Sequence, residues 1–263
     1  MPGPRSSQKF LRHLSPTPRI VGTTRRQGGG MTSAELRRRL IRPGLRAVPT
    51  PRSNPFALGY LALLLGTTLY ARFGDPETVH RLQSLSSTDA HNLLVHPALS
   101  LVGSGLWVAG PVWMPYFWAF ALTVAPLERR IGGLRALAVF GAGHVAATLL
   151  SQGVVITAVA AGGAAPDLLD AMDIGVSYGV LTSLGALAGL LGPTGRKVAL
   201  GAGLALIAHQ VVSDPDLVTG VGHPAALAVG VALWPVLRGR GPRRGLGARI
   251  ASRVGLRPLP RSS

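Results

Sequence analysis

A hydroxyl set in Gly175-Val176-Ser177-Tyr178-Gly179 and an imidazole set in Gly220-Val221-Gly222-His223-Pro224 are the two side chains whose types and settings point to a reaction. Each stands near the start of an apolar stretch that reads as a membrane-embedded helix. Gly175 and Gly179 on one stretch, and Gly222, Ala226 and Gly230 on the other, place small residues four apart. That spacing lets two lipid-embedded helices approach closely. Ser177 and His223 are therefore expected to meet inside the bilayer, where a proton acceptor beside a hydroxyl is the minimal apparatus of nucleophilic catalysis.

The elements that position them follow from composition. The chain has 263 residues, 47% hydrophobic and 14% charged, with its apolar residues in long runs rather than amphipathic stripes. This is the profile of an all-α polytopic membrane protein. Six spans are expected: Phe56–Arg72, Tyr116–Leu127, Leu134–Ala160, Ile174–Gly192, Val198–Val212 and Val221–Leu237. The second is short for a crossing of about 20 residues, so its neighbour His96–Ala109 is expected in or on the membrane too. The absence of cysteine excludes disulfides, thiolate nucleophiles and zinc-thiolate sites.

A net charge of +17 raises the question of nucleic acid, but the positions of the charges answer it differently. Twelve Lys/Arg precede Phe56, three lie at Arg129, Arg130 and Arg135, two at Arg196-Lys197, and eight follow Leu237. With alternating spans all of these fall on one side, so both termini are expected in the cytoplasm. Residues 1–55 read as a basic, largely disordered segment with a short helix near 33–41, started by the capping-box pair Thr32 and Glu35. Residues 56–238 form the membrane domain, and 239–263 a polybasic tail. Both tails are expected to lie on anionic inner-leaflet lipids. No aromatic residues interleave with the arginines, so specific nucleic-acid binding is not expected. Translation from Met1 or from Met31 is left open.

The remaining histidines and tryptophans are scattered. No His-x-x-x-His or His/carboxylate cluster appears among the seven histidines, so neither a metal site nor a cofactor is expected. His144, in the middle of a span, is expected to bond a neighbouring helix. Trp107, Trp113, Trp118 and Trp234 fit interface anchoring. Glu128, flanked by Arg129 and Arg130, is expected to tie the second helix to the cytoplasmic loop.

Taken together, Glu128-x-x-x-Gly132-x-x-Arg135, Gly175-x-Ser177, His223 followed by Ala226 and Gly230, and the six-span layout resemble the rhomboid intramembrane serine proteases, in particular the divergent rhomboid-like proteins of high-GC actinobacteria. The resemblance implies a bacterial plasma-membrane location and a six-helix bundle. Ser177 would be the nucleophile and His223 the general base of a two-residue dyad, cutting single-pass transmembrane substrates near the outer membrane face. Glu128, Gly132, Arg135, Gly179, Gly222, Ala226 and Gly230 would be structural.

Two positions depart from the family pattern. Rhomboids place a His and an Asn four residues apart near the start of the second helix to bind the oxyanion, and Pro111–Trp118 contains neither. Tyr178 stands where a Gly usually follows the serine. The candidates for the missing donor or for the cleft are His96, Tyr116, Gln152, Tyr178, Gly175 and the Ser177 backbone N–H. Two functions remain open on this reading: an intramembrane serine protease, or a catalytically inactive rhomboid-fold protein that binds transmembrane helices for quality control or assembly. A coupled transporter is disfavoured, because no acid or base besides histidine lies within a span.

Overall fold

The computed structural model describes residues 49–110, 112–213 and 215–239, and these form helices joined by turns and loops, with no strand among them. The short helix expected near 33–41, the basic N-terminal segment and the polybasic tail beyond Gly239 lie outside the described residues. Helix α1 is Pro55–Phe73. A run of short elements follows: α2 Pro76–Leu85, α3 Ala90–Val95, α4 Pro97–Gly103 and a 3-10 turn at Ser104–Leu106. Next come α5 Met114–Ala119, a π turn at Phe120–Val124 and α6 Ala125–Ile131, which run on without a break. The chain ends with α7 Gly133–Ala160, α8 Ser177–Gly189, α9 Pro193–Ser213, α10 Leu217–Ala232 and α11 Trp234–Arg238.

Every stretch expected to span is helical, but their lengths differ from expectation. Among the described residues three helices are long and apolar enough to cross a membrane: Pro55–Phe73, Gly133–Ala160 and Leu217–Arg238. The second expected span is interrupted where Pro126 enters the helix. A proline has no N–H to give to the preceding turn, and the wider π turn immediately before it absorbs the mismatch. The fourth is shorter than Ile174–Gly192, because residues 174–176 approach in non-helical form and the helix stops at Gly189.

The short α8 is the axis of the bundle. Eleven of its 13 residues are buried, and it packs against α7, α9, α10 and the π turn. Small residues make this possible. A methyl group on Gly143 of α7 would collide with the Thr182 side chain, and one on Gly179 with the Phe140 ring. Gly185 and Gly230 meet backbone to backbone between α8 and α10. Outward-facing Leu63, Leu69, Leu134, Leu149, Val198 and Leu204 are all exposed, an arrangement that hydrocarbon rather than water accommodates.

Glu128 corrects one expectation. Its carboxylate is 2% exposed, and it reaches the start of α1 rather than the cytoplasmic loop. Oε1 accepts the Phe56 N–H at 2.8 Å and Oε2 the Ala57 N–H at 2.9 Å. An anion on the free N–H groups of a helix N-terminus is favoured by both hydrogen bonding and the helix dipole. Asn54 completes the joint, donating to Ala125 O at 2.7 Å and accepting from Arg129 Nη1 at 2.9 Å. Gly132 ends α6 with φ of +85°, a conformation glycine adopts without penalty. Arg135 is exposed on the first turn of α7.

Candidate active site

Helices α8 and α10 bring together the two residues singled out by chemistry. His223 Nε2 and Ser177 Oγ lie 2.8 Å apart. The contact rests on the helix packing below it: Thr182 Oγ1 donates to Ala226 O at 2.8 Å, and Gly230 lies against the Thr182 and Gly185 backbone. His223 is 5% exposed, and its Nδ1 has no protein partner among the described residues. Among the described residues the arrangement is thus a pair, with no carboxylate bonded to the imidazole.

Tyr178 orients that imidazole by contact. Its ring meets the His223 ring edge-on, centroids 5.5 Å apart at 81°. On its other side lies His144, with ring centroids 6.2 Å away. The phenol donates to Val218 O at 3.3 Å. Gly222 leaves the space that the Tyr178 ring occupies, since any side chain there would collide with it.

The pair stands where two cavities meet. One, of about 470 Å³, is mostly apolar and is walled by Val112, Pro115 and Ala119 on one side and Leu181 and Leu206 on the other. The second, of about 270 Å³, is polar and includes Asp173, His209, Ser213 and Thr219. Ser177, His223, Tyr116, Ala109 and Gln210 line both. Gln210 is absent from the sequence-derived set: one uncharged amide in an apolar run carries no motif, and only the rotation of α9 reveals which way it faces.

The other sequence candidates divide cleanly. Tyr116 is at the site, with its hydroxyl donating to Ala109 O at 3.1 Å. Gly175 shapes the approach to α8, with φ of +134° and its N–H bonded to Ser104 O at 3.0 Å. His96 is exposed at the junction of α3 and α4 and lines neither cavity. Gln152 is 2% exposed on α7, donates to Asp173 Oδ2 at 3.3 Å, and lines neither cavity. His144 forms a second Ser/His contact, Nε2 to Ser104 Oγ at 3.1 Å, also away from both cavities. Because Ser104 O also holds Gly175, that contact fixes the segment leading into Ser177. Trp107 and Trp234 turn inward as well, donating to Ser86 Oγ and Gly185 O, each at 2.8 Å.

Asp173, four residues before Ser177, ties the polar cavity to the Ser87-Thr88 turn between α2 and α3. Its backbone bonds Thr88 N–H at 2.8 Å and Ser87 Oγ at 2.9 Å. Burial pushes its carboxyl up to about 6, with the charges of Asp216 and Asp89 adding to the shift and the Gln152 hydrogen bond opposing it. Among the described residues no group of three or more His, Cys, Asp or Glu is arranged to hold a metal ion.

An all-helical bundle with long apolar helices, and a serine and a histidine in hydrogen-bond contact, fits the class of rhomboid-like membrane proteins. The family comparison agrees: the pattern of the rhomboid-like proteins matches residues 51–243, and the chain belongs to that family. It is accordingly an integral membrane protein. No curated protein and no solved structure matches the chain.

Proposed function

We propose that this protein is an intramembrane serine protease of the rhomboid type, cutting single-pass transmembrane substrates near the outer membrane face. The observation that carries the reading is the 2.8 Å contact between Ser177 Oγ and His223 Nε2 at the junction of an apolar and a polar cavity. His223 Nε2 takes the Ser177 proton as Oγ bonds to the scissile carbonyl carbon. The proton then passes to the leaving amine as the C–N bond breaks, and water releases the acyl group by the same route. The apolar cleft suits a substrate segment arriving from lipid, and the polar pocket suits the water that deacylation consumes. The layout in this reading is six spans in a bacterial plasma membrane with both termini in the cytoplasm, where the basic tails meet anionic lipids.

A second reading has one observation in its favour. Val112–Trp118 supplies neither His nor Asn to the cleft, as expected of a rhomboid-fold protein that binds transmembrane helices without cutting them. Labelling of the detergent-solubilised protein with a fluorophosphonate probe separates the two. The protease reading expects labelling of the wild type that disappears in Ser177→Ala and His223→Ala. A folded wild type that takes no label gives the position to the helix-binding reading. A reporter fused after Arg238 that proves external would remove the proposed topology.

A further inference from the structure

The two cavities share five residues, and four of these carry polar side chains: Tyr116, Ser177, Gln210 and His223. Three have partners already. Ser177 and His223 bond each other, and Tyr116 donates to Ala109 O. For Gln210 no hydrogen bond to another described residue is formed, and its Oε1, like His223 Nδ1, is buried without a partner among the described residues. A buried amide oxygen left unpaired costs about 1–3 kcal/mol. The cost disappears when a ligand entering the cleft supplies the partner.

The chemistry of the amide indicates which ligand. A primary amide presents a donor and an acceptor side by side, and a peptide unit presents the complementary pair. Rotation about the terminal torsion of Gln210 exchanges the two, so either faces the site as required. Of the other buried polar atoms left without a partner among the described residues, His223 Nδ1 belongs to a residue lining the cavities, whereas Trp113 Nε1, His144 Nδ1, Thr148 Oγ1 and Gln152 Oε1 do not.

We propose that Gln210 is a catalytic residue that grips the substrate peptide backbone, its Nε2 hydrogens donating to the scissile carbonyl oxygen while its Oε1 accepts a backbone N–H of the same segment. This rests on the protease reading above. As Ser177 Oγ bonds to the carbonyl carbon, the C=O π pair moves onto oxygen and the Oγ proton moves to His223 Nε2. The oxygen becomes an oxyanion held by Gln210 and by the Ser177 backbone N–H, which as the first of α8 has no intrahelical acceptor. When the C–N bond breaks, the pair returns to the carbonyl and the amine takes the proton from His223. Gln210 gains and loses no proton in the cycle. From α9, which lines the apolar cavity together with α5, it supplies the side-chain donor that a His or Asn in Val112–Trp118 would otherwise give.

The test compares wild type, Gln210→Met, Gln210→Glu and Ser177→Ala, all full-length. The readouts are cleavage of a single-pass reporter in proteoliposomes, the rate of fluorophosphonate labelling, and thermal unfolding in detergent. Gln210→Met keeps the length and removes the donor. It is expected to lower kcat by about 10²–10³ with KM little changed, and to slow labelling in proportion. Its unfolding temperature should hold or rise, because no unpaired amide remains buried. If Gln210→Met unfolds early, Gln210→Glu decides: it keeps the shape but replaces the donor with an acceptor, and a comparable loss of kcat is expected. A folded variant within about threefold of wild type in both cleavage and labelling overturns the role of Gln210 and leaves the protease reading standing. A wild type that neither labels nor cleaves overturns both.

Discussion

Gly230 of α10 lies against Gly185 of α8 so closely that a methyl group on Gly230 would stand 2.9 Å from the Gly185 Cα and overlap the Thr182 carbonyl oxygen. These helices carry His223 and Ser177, so the interval between their backbones sets the distance between imidazole and hydroxyl. Gly230→Ala is expected to destabilise by about 1–3 kcal/mol, as overpacking does. It should also slow fluorophosphonate labelling by more than that loss of folded protein accounts for. Gly201→Ala is the control: nothing lies within 4 Å of a methyl group there, and replacing a mid-helix glycine should stabilise by about 0.5–1 kcal/mol. Melting curves and labelling rates of the two variants check both statements; equal behaviour would show that the close approach does not set the pair.

Glu128 joins the start of α1 to the end of α6 through two backbone N–H groups and has no role in the cavities. Hydrogen bonds to a charged group contribute about 1.5–3 kcal/mol each. Glu128→Ala is therefore expected to cost about 3 kcal/mol or more, and Glu128→Gln less, because the amide oxygen still accepts one bond. For whatever fraction stays folded, labelling per folded molecule should match wild type. Unfolding monitored alongside labelling tests this, and a labelling rate that falls without loss of stability would move Glu128 from scaffold to chemistry.

The sequence made the Ser177–His223 contact legible for a physical reason: small residues four apart identify the faces through which lipid-embedded helices meet. Glu128 was legible as a structural acid from its basic neighbours and its place in Glu128-x-x-x-Gly132-x-x-Arg135, yet its partner was not. That partner is the start of α1, over 70 residues earlier in the chain, and no local pattern encodes such a pairing. The shortness of α8 was hidden because Ile174–Val176 is as apolar as the helix it leads into, and only the backbone at Gly175 separates them. His96 and Gln152 were reasonable donors by type and distance along the chain. Their absence from the cleft follows from tertiary placement, with His96 exposed between α3 and α4 and Gln152 on α7 committed to Asp173.

Asp173 should make stability fall as the medium becomes less acidic. Its folded-state carboxyl is pushed up to about 6 from 3.8, so between those values the folded protein holds a proton that the unfolded chain has released. Stability is therefore fully present below about pH 4 and is lost as pH rises through 6. At neutral pH the charge costs up to about 3 kcal/mol. Asp173→Asn keeps an acceptor for Gln152 and removes the charge, so it should raise the unfolding temperature at pH 7 and flatten this part of its pH dependence. Unfolding of both proteins across pH 4–8 tests the claim, and parallel curves would show that the carboxylate is not held at a cost.

Tyr178 offers a way to separate packing from hydrogen bonding next to the imidazole. The ring meets His223 edge-on at 5.5 Å and His144 at 6.2 Å. The hydroxyl makes only long contacts, at 3.3 Å to Val218 O and 3.5 Å to Ser151 Oγ. If the ring is what holds His223 against Ser177, Tyr178→Phe should cost about 1 kcal/mol or less and leave the labelling rate near that of wild type. Tyr178→Ala removes a buried aromatic and should cost about 3–5 kcal/mol. It should also free the imidazole to rotate, because His223 Nδ1 has no other bond to fix it. Labelling would then fall even at temperatures where the variant is folded. The opposite pattern, with Tyr178→Phe losing labelling while Tyr178→Ala keeps it, would assign the function to the hydroxyl and make Tyr178, rather than Gln210, the place to look for a donor.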